Sequence, residues 1–146
     1  MSRFNDYYNA EIKRYGGIKN YVIGKSKEKQ PLLNMILKYS TNKKRILESG
    51  SGSAANSIYL ANNKRKVVCI DKDQKMLELG KQNSSHFEKQ PTFINKDIKE
   101  LGYDDRSFDV SFSHGVLEHY EDNEIIELVN KQLMVSSFVI ISIPSN

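Results

Sequence analysis

The stretch Ile46–Ala61, "ILESGSGSAANSIYLA", decides how the rest of the chain is read. Two apolar residues, Ile46 and Leu47, meet an acid, Glu48. Two glycines follow, Gly50 and Gly52, and then an apolar series at helical spacing. A short strand, a glycine loop and a helix form the unit in which backbone closely approaches a nucleotide. Upstream and downstream of this unit, the sequence tells which nucleotide it suits and how many such units there are.

Downstream, strands and helices alternate. "RILES" is strand 1, "KVVCID" strand 2, "PTFIN" strand 3, "SFDVSFS" strand 4 and "SSFVIISI" strand 5, with Pro144 ending it. The helix after the glycine loop ends near "ANNK". Asp73 is placed to cap "QKMLELGKQ", and Asp122 to cap a helix with Ile125, Leu128, Val129 and Leu133 on one side. Short apolar strands separated by helices predict a doubly wound, Rossmann-like parallel α/β sheet, with ligands at the carboxyl ends of the strands. Upstream, "FNDYYNAEIKRY" is helical up to the Gly16-Gly17 break. "GKSKEKQ" reads as a charged loop, and Pro31 opens a helix with Leu32, Leu33, Ile36 and Leu37 on its apolar face. Residues 1–43 are thus a helical segment, a candidate lid bearing Tyr7, Tyr8, Tyr15 and Tyr21, and 44–146 the ligand-binding core of a single domain.

Composition sets outer bounds. The 146 residues carry a net charge of +4, with 17 lysines against 5 arginines. That lysine excess, sited in loop positions, disfavours a base-reading surface, and nucleic acid is not the expected partner. No apolar run reaches the ~18 residues of a membrane span. "MSRFNDYYNAEIKRYGG" has no signal-peptide core, and the single cysteine, Cys69, permits no internal disulfide; both agree with a cytoplasmic protein. Cys69 lies within strand 2 and reads as a buried small hydrophobe. "GKS" at Gly24–Ser26 is not a phosphate loop, because Lys19 stands where the motif needs glycine.

Two ligands compete for the loop. Gly50-x-Gly52-x-x-Ala55, with Asp71 ending strand 2, satisfies a dinucleotide fingerprint. Glu48 argues against it, since a carboxylate two residues before the first glycine repels a pyrophosphate. S-adenosylmethionine has no phosphate. Its ammonium suits Glu48, and its carboxylate suits the N–H groups at the helix start.

From about Lys44 to Ile143 the chain resembles the class I S-adenosylmethionine-dependent methyltransferases, in particular their small-molecule branch. "ILESGSGSA" is similar to their E/D-x-G-x-G-x-G loop, with Ala54 where a third glycine is common. "VVCIDKDQKML" resembles the second segment, which puts Asp71 on the ribose hydroxyls. "FINKDIKEL" resembles the third, with Asp97 near the adenine amino group and Ile98 against the ring. "FDVSFSHGVLEHY" resembles the strand-4 segment. The resemblance implies strand order 3-2-1-4-5 and further cofactor contacts at Ser51, Lys72, Met76 and Ser113. It places His119, after strand 4, as a candidate general base, with His114 also considered. No Asn/Asp-Pro-Pro-aromatic motif or Pro-Cys pair is present, and "SFSHGV" offers no acid for a metal. The implied reaction is therefore a metal-independent methyl transfer to a small molecule. A non-catalytic cofactor-binding domain and a NAD-binding dehydrogenase domain are the alternatives. The family adds a helix and an antiparallel hairpin beyond strand 5, whereas this sequence stops at "IPSN". The expectation is a truncated form, with Phe138–Ile143 an apolar exposed edge and self-association through it.

Ala54 supplies a local test of the loop. Its methyl group is tolerated if φ is negative and strained if φ is positive.

Overall fold

The computed structural model describes residues 2–145; Met1 and Asn146, at the ends of the stretches quoted above, lie outside the described residues. Three helices come first: α1 (Ser2–Tyr15), α2 (Ile18–Glu28) and α3 (Gln30–Tyr39). Then β1 (Arg45–Ser49), α4 (Ala55–Ala61), β2 (Lys66–Asp71), α5 (Gln74–Ser84), β3 (Thr92–Asn95), β4 (Phe108–His114), α6 (Asp122–Val135) and β5 (Ser136–Ser142) follow, with single 3₁₀ turns at Ile98–Glu100 and Leu117–His119. The five strands form one parallel sheet in the order β3-β2-β1-β4-β5, as expected. The chain reverses its winding between β1 and β4, so the crevice for a ligand opens where those two strands end.

Each face of the sheet is sealed by its own apolar cluster. Leu33 and Ile36 of α3 and Leu60 of α4 pack on Ile46, Cys69, Val110 and Phe112. On the other face Leu47, Val68, Ile70 and Phe108 meet Leu101 and Val135. A third cluster joins the first two helices to the loop unit: Tyr8, Tyr21 and Val22 pack on Ala54, Ala55 and Ile58. No helix among the described residues is long and apolar enough to cross a membrane.

Several local readings are corrected. "GKSKEKQ" is not a loop; α2 continues through Gly24–Glu28, Lys29 caps it, and Gln30 opens α3. Gly24 is tolerated there because the Tyr15 ring fills its place: an added Cβ would lie 2.2 Å from Tyr15 Cε1. Lys25 then pairs with Glu11 at 3.2 Å and Glu28 at 3.6 Å, and buried Ser26 donates to the Val22 carbonyl at 2.8 Å. Asp122 does not cap α6. Glu121 holds the cap position without a side-chain hydrogen bond, and Asp122 is the first helical residue. Leu133 is 48% exposed, and Gln132 is buried in its stead. The reason is helical phase. α6 passes into β5 with no loop, which turns Leu128, Gln132 and Val135 onto one inward stripe and Leu133 away from it. Asp73 does cap α5, accepting the Lys75 N–H at 2.9 Å.

β5 pairs with β4 alone and forms an edge. Its apolar side chains are not all covered, for Phe138 is 46% and Ile141 38% exposed.

Candidate functional site

At the carboxyl end of the sheet, the loop after β1 separates two cavities that share Gly50 as a wall. The larger, ≈320 Å³, is lined by Glu48, the loop residues Gly50–Ser53, Asn56 of α4, His114 at the end of β4, and Tyr21, Lys25 and Lys29 from α2 and its end. The smaller, ≈70 Å³, is lined by Asp71, Lys72, Asp97, Ile98, Val116 and Tyr120. The N-terminal helices therefore roof the larger cavity.

The loop can turn here only because of its glycines. Gly50 has φ of +70°, and a Cβ on it would sit 2.5 Å from Val116 Cγ2. Gly52 has φ of +53° and faces the Met76 methyl, with 3.9 Å between that carbon and an added Cβ. Ala54 adopts φ of +63°, the strained alternative for a non-glycine residue. Its methyl group is nevertheless buried, packed beside Gly80, and lies in the cluster with Tyr8 and Tyr21. Burying a methyl offsets about 0.8 kcal/mol of a left-handed penalty of roughly 1–2 kcal/mol.

Glu48 is only 2% exposed. Ser57 Oγ donates to its Oε1 at 2.6 Å. Burial pushes its carboxyl up to about 8, helped by the negative charge of Asp71 and opposed by hydrogen bonds from Ser57 and Asn56. No Lys, Arg or His pairs with it among the described residues. Such a carboxylate facing a cavity is a site prepared for a cation.

Asp71 ends β2 at the rim of the smaller cavity, and its Oδ1 accepts the Asp73 N–H at 2.9 Å. Asp97 stands in the opposite wall and accepts the Lys99 N–H at 2.9 Å, which starts a 3₁₀ turn and sets buried Ile98 beside it. Ser51 is buried at the larger cavity with its hydroxyl unpartnered. Ser113 lies inside β4, fully buried and also unpartnered, and walls neither cavity.

The histidines separate clearly. His119 closes the second 3₁₀ turn with its side chain 74% exposed, 3.8 Å from Glu118, and the fold does not bring it to either cavity. His114 lines the larger cavity, its Nδ1 2.8 Å from Ser142 Oγ. Burial lowers its affinity for a proton, as does the charge of Lys29, against a smaller opposing pull from Glu118. Sequence reading did not single out Lys25, Lys29, Asn56 or Ser57. Only the helical spacing after Glu48 carried a signal for Ser57, since residue 57 falls within the first turn of the helix that follows the loop.

A family model described as a methyltransferase domain matches residues 46–135. The chain belongs to that family. Its structural neighbours are class I methyltransferases, whose cofactor is S-adenosylmethionine (SAM). Magnesium protoporphyrin IX methyltransferase from Synechocystis PCC 6803, with bound SAM, superposes with a TM-score of 0.70 and 21% identity over 82% of this chain and 58% of that one. The same enzyme with bound SAH, S-adenosylhomocysteine, gives 0.71 and 20% over 96% and 68%. A putative S-adenosyl-L-methionine-dependent methyltransferase from Methanococcus maripaludis gives 0.64 and 20% over 88% and 63%. The chain thus spans about 58% of the length of the first of these. No curated protein matches it.

The two cavities of this methyltransferase domain fit the cofactor. The larger offers a carboxylate lacking a cation and an unpartnered serine hydroxyl. The smaller offers two acids and an apolar side chain. Between them is backbone that a Cβ would obstruct.

Proposed function

We propose that this chain binds S-adenosylmethionine and transfers its methyl group to a small molecule without a metal. The observation that carries the reading is Glu48, a buried acid without a cation, at the cavity wall beside the two-glycine loop. The same acid can ionise only beside a cation, which a dinucleotide's pyrophosphate would not supply. Asp71 is positioned for the ribose hydroxyls, Lys72 and Met76 for the edges of the nucleoside, Asp97 for the adenine amino group and Ile98 for the ring face. Gly50, Ser51 and Gly52 allow close approach of the methionine portion. The helices within residues 1–43 act as a lid through Tyr21 and Lys25.

When bound, the cofactor supplies a methyl group on a sulfonium; an acceptor lone pair forms the new bond to carbon as the carbon–sulfur pair returns to sulfur. The chain's part is to hold the acceptor in line, which by proximity alone lowers a barrier by ~7–11 kcal/mol. His114 is the histidine that faces the cavity, whereas His119 is too exposed to serve as a base from its present position. The same loop and lid without an acceptor site would make a cofactor-binding module.

Calorimetry with SAH and NAD, compared across variants, tests this. Asp71→Ala removes charge-assisted hydrogen bonds of about 1.5–3 kcal/mol and should weaken SAH binding roughly 10- to 150-fold. Asp73→Ala, which removes only a helix cap, should leave that affinity nearly unchanged and lower stability by ~1 kcal/mol. Tighter binding of NAD than of SAH would sink the reading.

A further inference from the structure

The methyl acceptor's chemistry can be approached through the charges that line the larger cavity. Glu28 is engaged by the Tyr15 hydroxyl and by Lys25. Lys25 is in turn held by Glu11 and Glu28. Glu48 lies inside the wall with Ser57. One charged group lining this cavity has no such commitment: Lys29, half-buried, makes no ion pair among the described residues.

Its backbone is firmly set. Lys29 N–H donates to the carbonyls of Lys25 at 3.1 Å and Ser26 at 3.2 Å, closing α2, and its own carbonyl accepts Leu33 N–H at 3.0 Å, opening α3. The backbone at the start of the Lys29 side chain is therefore fixed at the cavity wall. Across the cavity stands His114, fixed through Nδ1 by Ser142 and through the next residue's backbone, where Gly115 N–H donates to the Ser142 carbonyl at 3.0 Å. His114 Nε2 has no protein hydrogen-bond partner among the described residues. Glu118, near His114, is the remaining acid on that side, and Gly115 lies between them.

We propose that the methyl acceptor is an acidic small molecule, whose carboxylate is held between the Lys29 ammonium and the His114 imidazole. This rests on the methyltransferase reading and narrows it. A neutral acceptor would leave a half-buried lysine unpaired beside it, and a cationic one would be repelled by it. An anion pairs the lysine, and the ring nitrogen of His114 adds a second hydrogen bond.

The test uses the whole chain saturated with SAH and a matched pair of probes, benzoate and benzamide. Binding is followed through the imidazole resonances of His114. Benzoate should bind at least ~10-fold tighter than benzamide, as expected for one charge-assisted contact. Lys29→Gln should abolish that preference and leave SAH affinity within about threefold; Lys29→Arg should restore it. Equal binding of the two probes would overturn the inference. So would a tenfold loss of SAH affinity in Lys29→Gln, which would assign the lysine to the cofactor's own carboxylate. Failure of the wild-type chain to bind SAH would overturn both this inference and the methyltransferase reading, and is seen before either probe is added.

Discussion

The two flanks of the sheet differ in how their polar groups are treated. On the β1–β2 flank the charged groups have a hydrogen bond and face a cavity: Glu48 bonds Ser57, Asp71 and Asp97 each hold a backbone N–H, and all three line a wall, while Ser49 Oγ alone of the β1 side chains is buried without a partner. On the β4–β5 flank Ser111, Ser113 and both side-chain atoms of Gln132 are buried without a partner, and the strand beyond them exposes Phe138 and Ile141. The second flank reaches the larger cavity only at its end, through His114 held by Ser142, and otherwise packs, with an open edge. A buried amide without partners destabilises by about 1–3 kcal/mol unless water reaches it. A ligand site, by contrast, recovers that cost when it fills.

The largest expected effect breaks the first flank at its tightest point. Gly50→Ala forces a methyl group to within 2.5 Å of Val116 Cγ2 and holds alanine at φ of +70°. The left-handed conformation alone costs roughly 1–2 kcal/mol, and overpacking adds ~1–3 kcal/mol. Loop and strand must shift, so SAH affinity should fall by more than ~150-fold, beyond the Asp71→Ala effect. Calorimetry on a variant shown to be folded by circular dichroism decides it. Unchanged affinity would mean that the ligand does not approach this backbone.

A second test sharpens the role of Glu48 through pH. Its carboxyl titrates near 4.5 when unfolded and at about 8 in the folded chain. Between those values the folded state holds one proton more than the unfolded state. Stability from this group is therefore complete below pH 4.5 and declines as pH rises toward 8. An ammonium bound beside it reverses the preference. SAH binding at pH 6.5 should release about one proton and tighten as pH rises, by at most ~10-fold per pH unit. Titrations in two buffers of different ionisation enthalpy count that proton. Glu48→Gln should release none, and proton release persisting in that variant would move the coupled group elsewhere.

The smallest effect concerns the second flank. Phe138 rests on the Tyr39 ring, with centroids 4.7 Å apart, and is half exposed. Phe138→Lys blunts the edge at a cost of about 1 kcal/mol or less, since little area is lost. If β5 mediates self-association, light scattering over a concentration series should show association in the wild type and less in the variant. A wild-type chain that stays monomeric throughout would show this edge to be harmless.

Much of the first flank was legible because its signals are local. A glycine loop between a strand and a helix, an acid at each strand end and Asp73 as a cap all depend on residues within a few positions of one another. The second flank was misread where the answer depended on phase. Leu133 suits a helix considered alone, but the direct passage from α6 into β5 turns Gln132 inward, and at the other end the helix begins one residue earlier than its acid suggested, with Glu121 at the cap position. "GKSKEK" looked like a loop because Gly24 weakens a helix, and only the Tyr15 ring, nine residues earlier, makes glycine the residue that fits.

By itself, then, the sequence determined the alternation of strands and helices, the strand order through the family resemblance, and the acids and glycines that line the two cavities. These follow from periodicity and backbone freedom, which are properties of short segments. Tertiary structure alone decided that Glu48 is desolvated, that His114 and not His119 meets the cavity, and that Lys25 and Lys29 reach it from a helix some twenty residues earlier. Burial and the meeting of distant charges depend on how elements pack, and no segment carries that information in its own pattern.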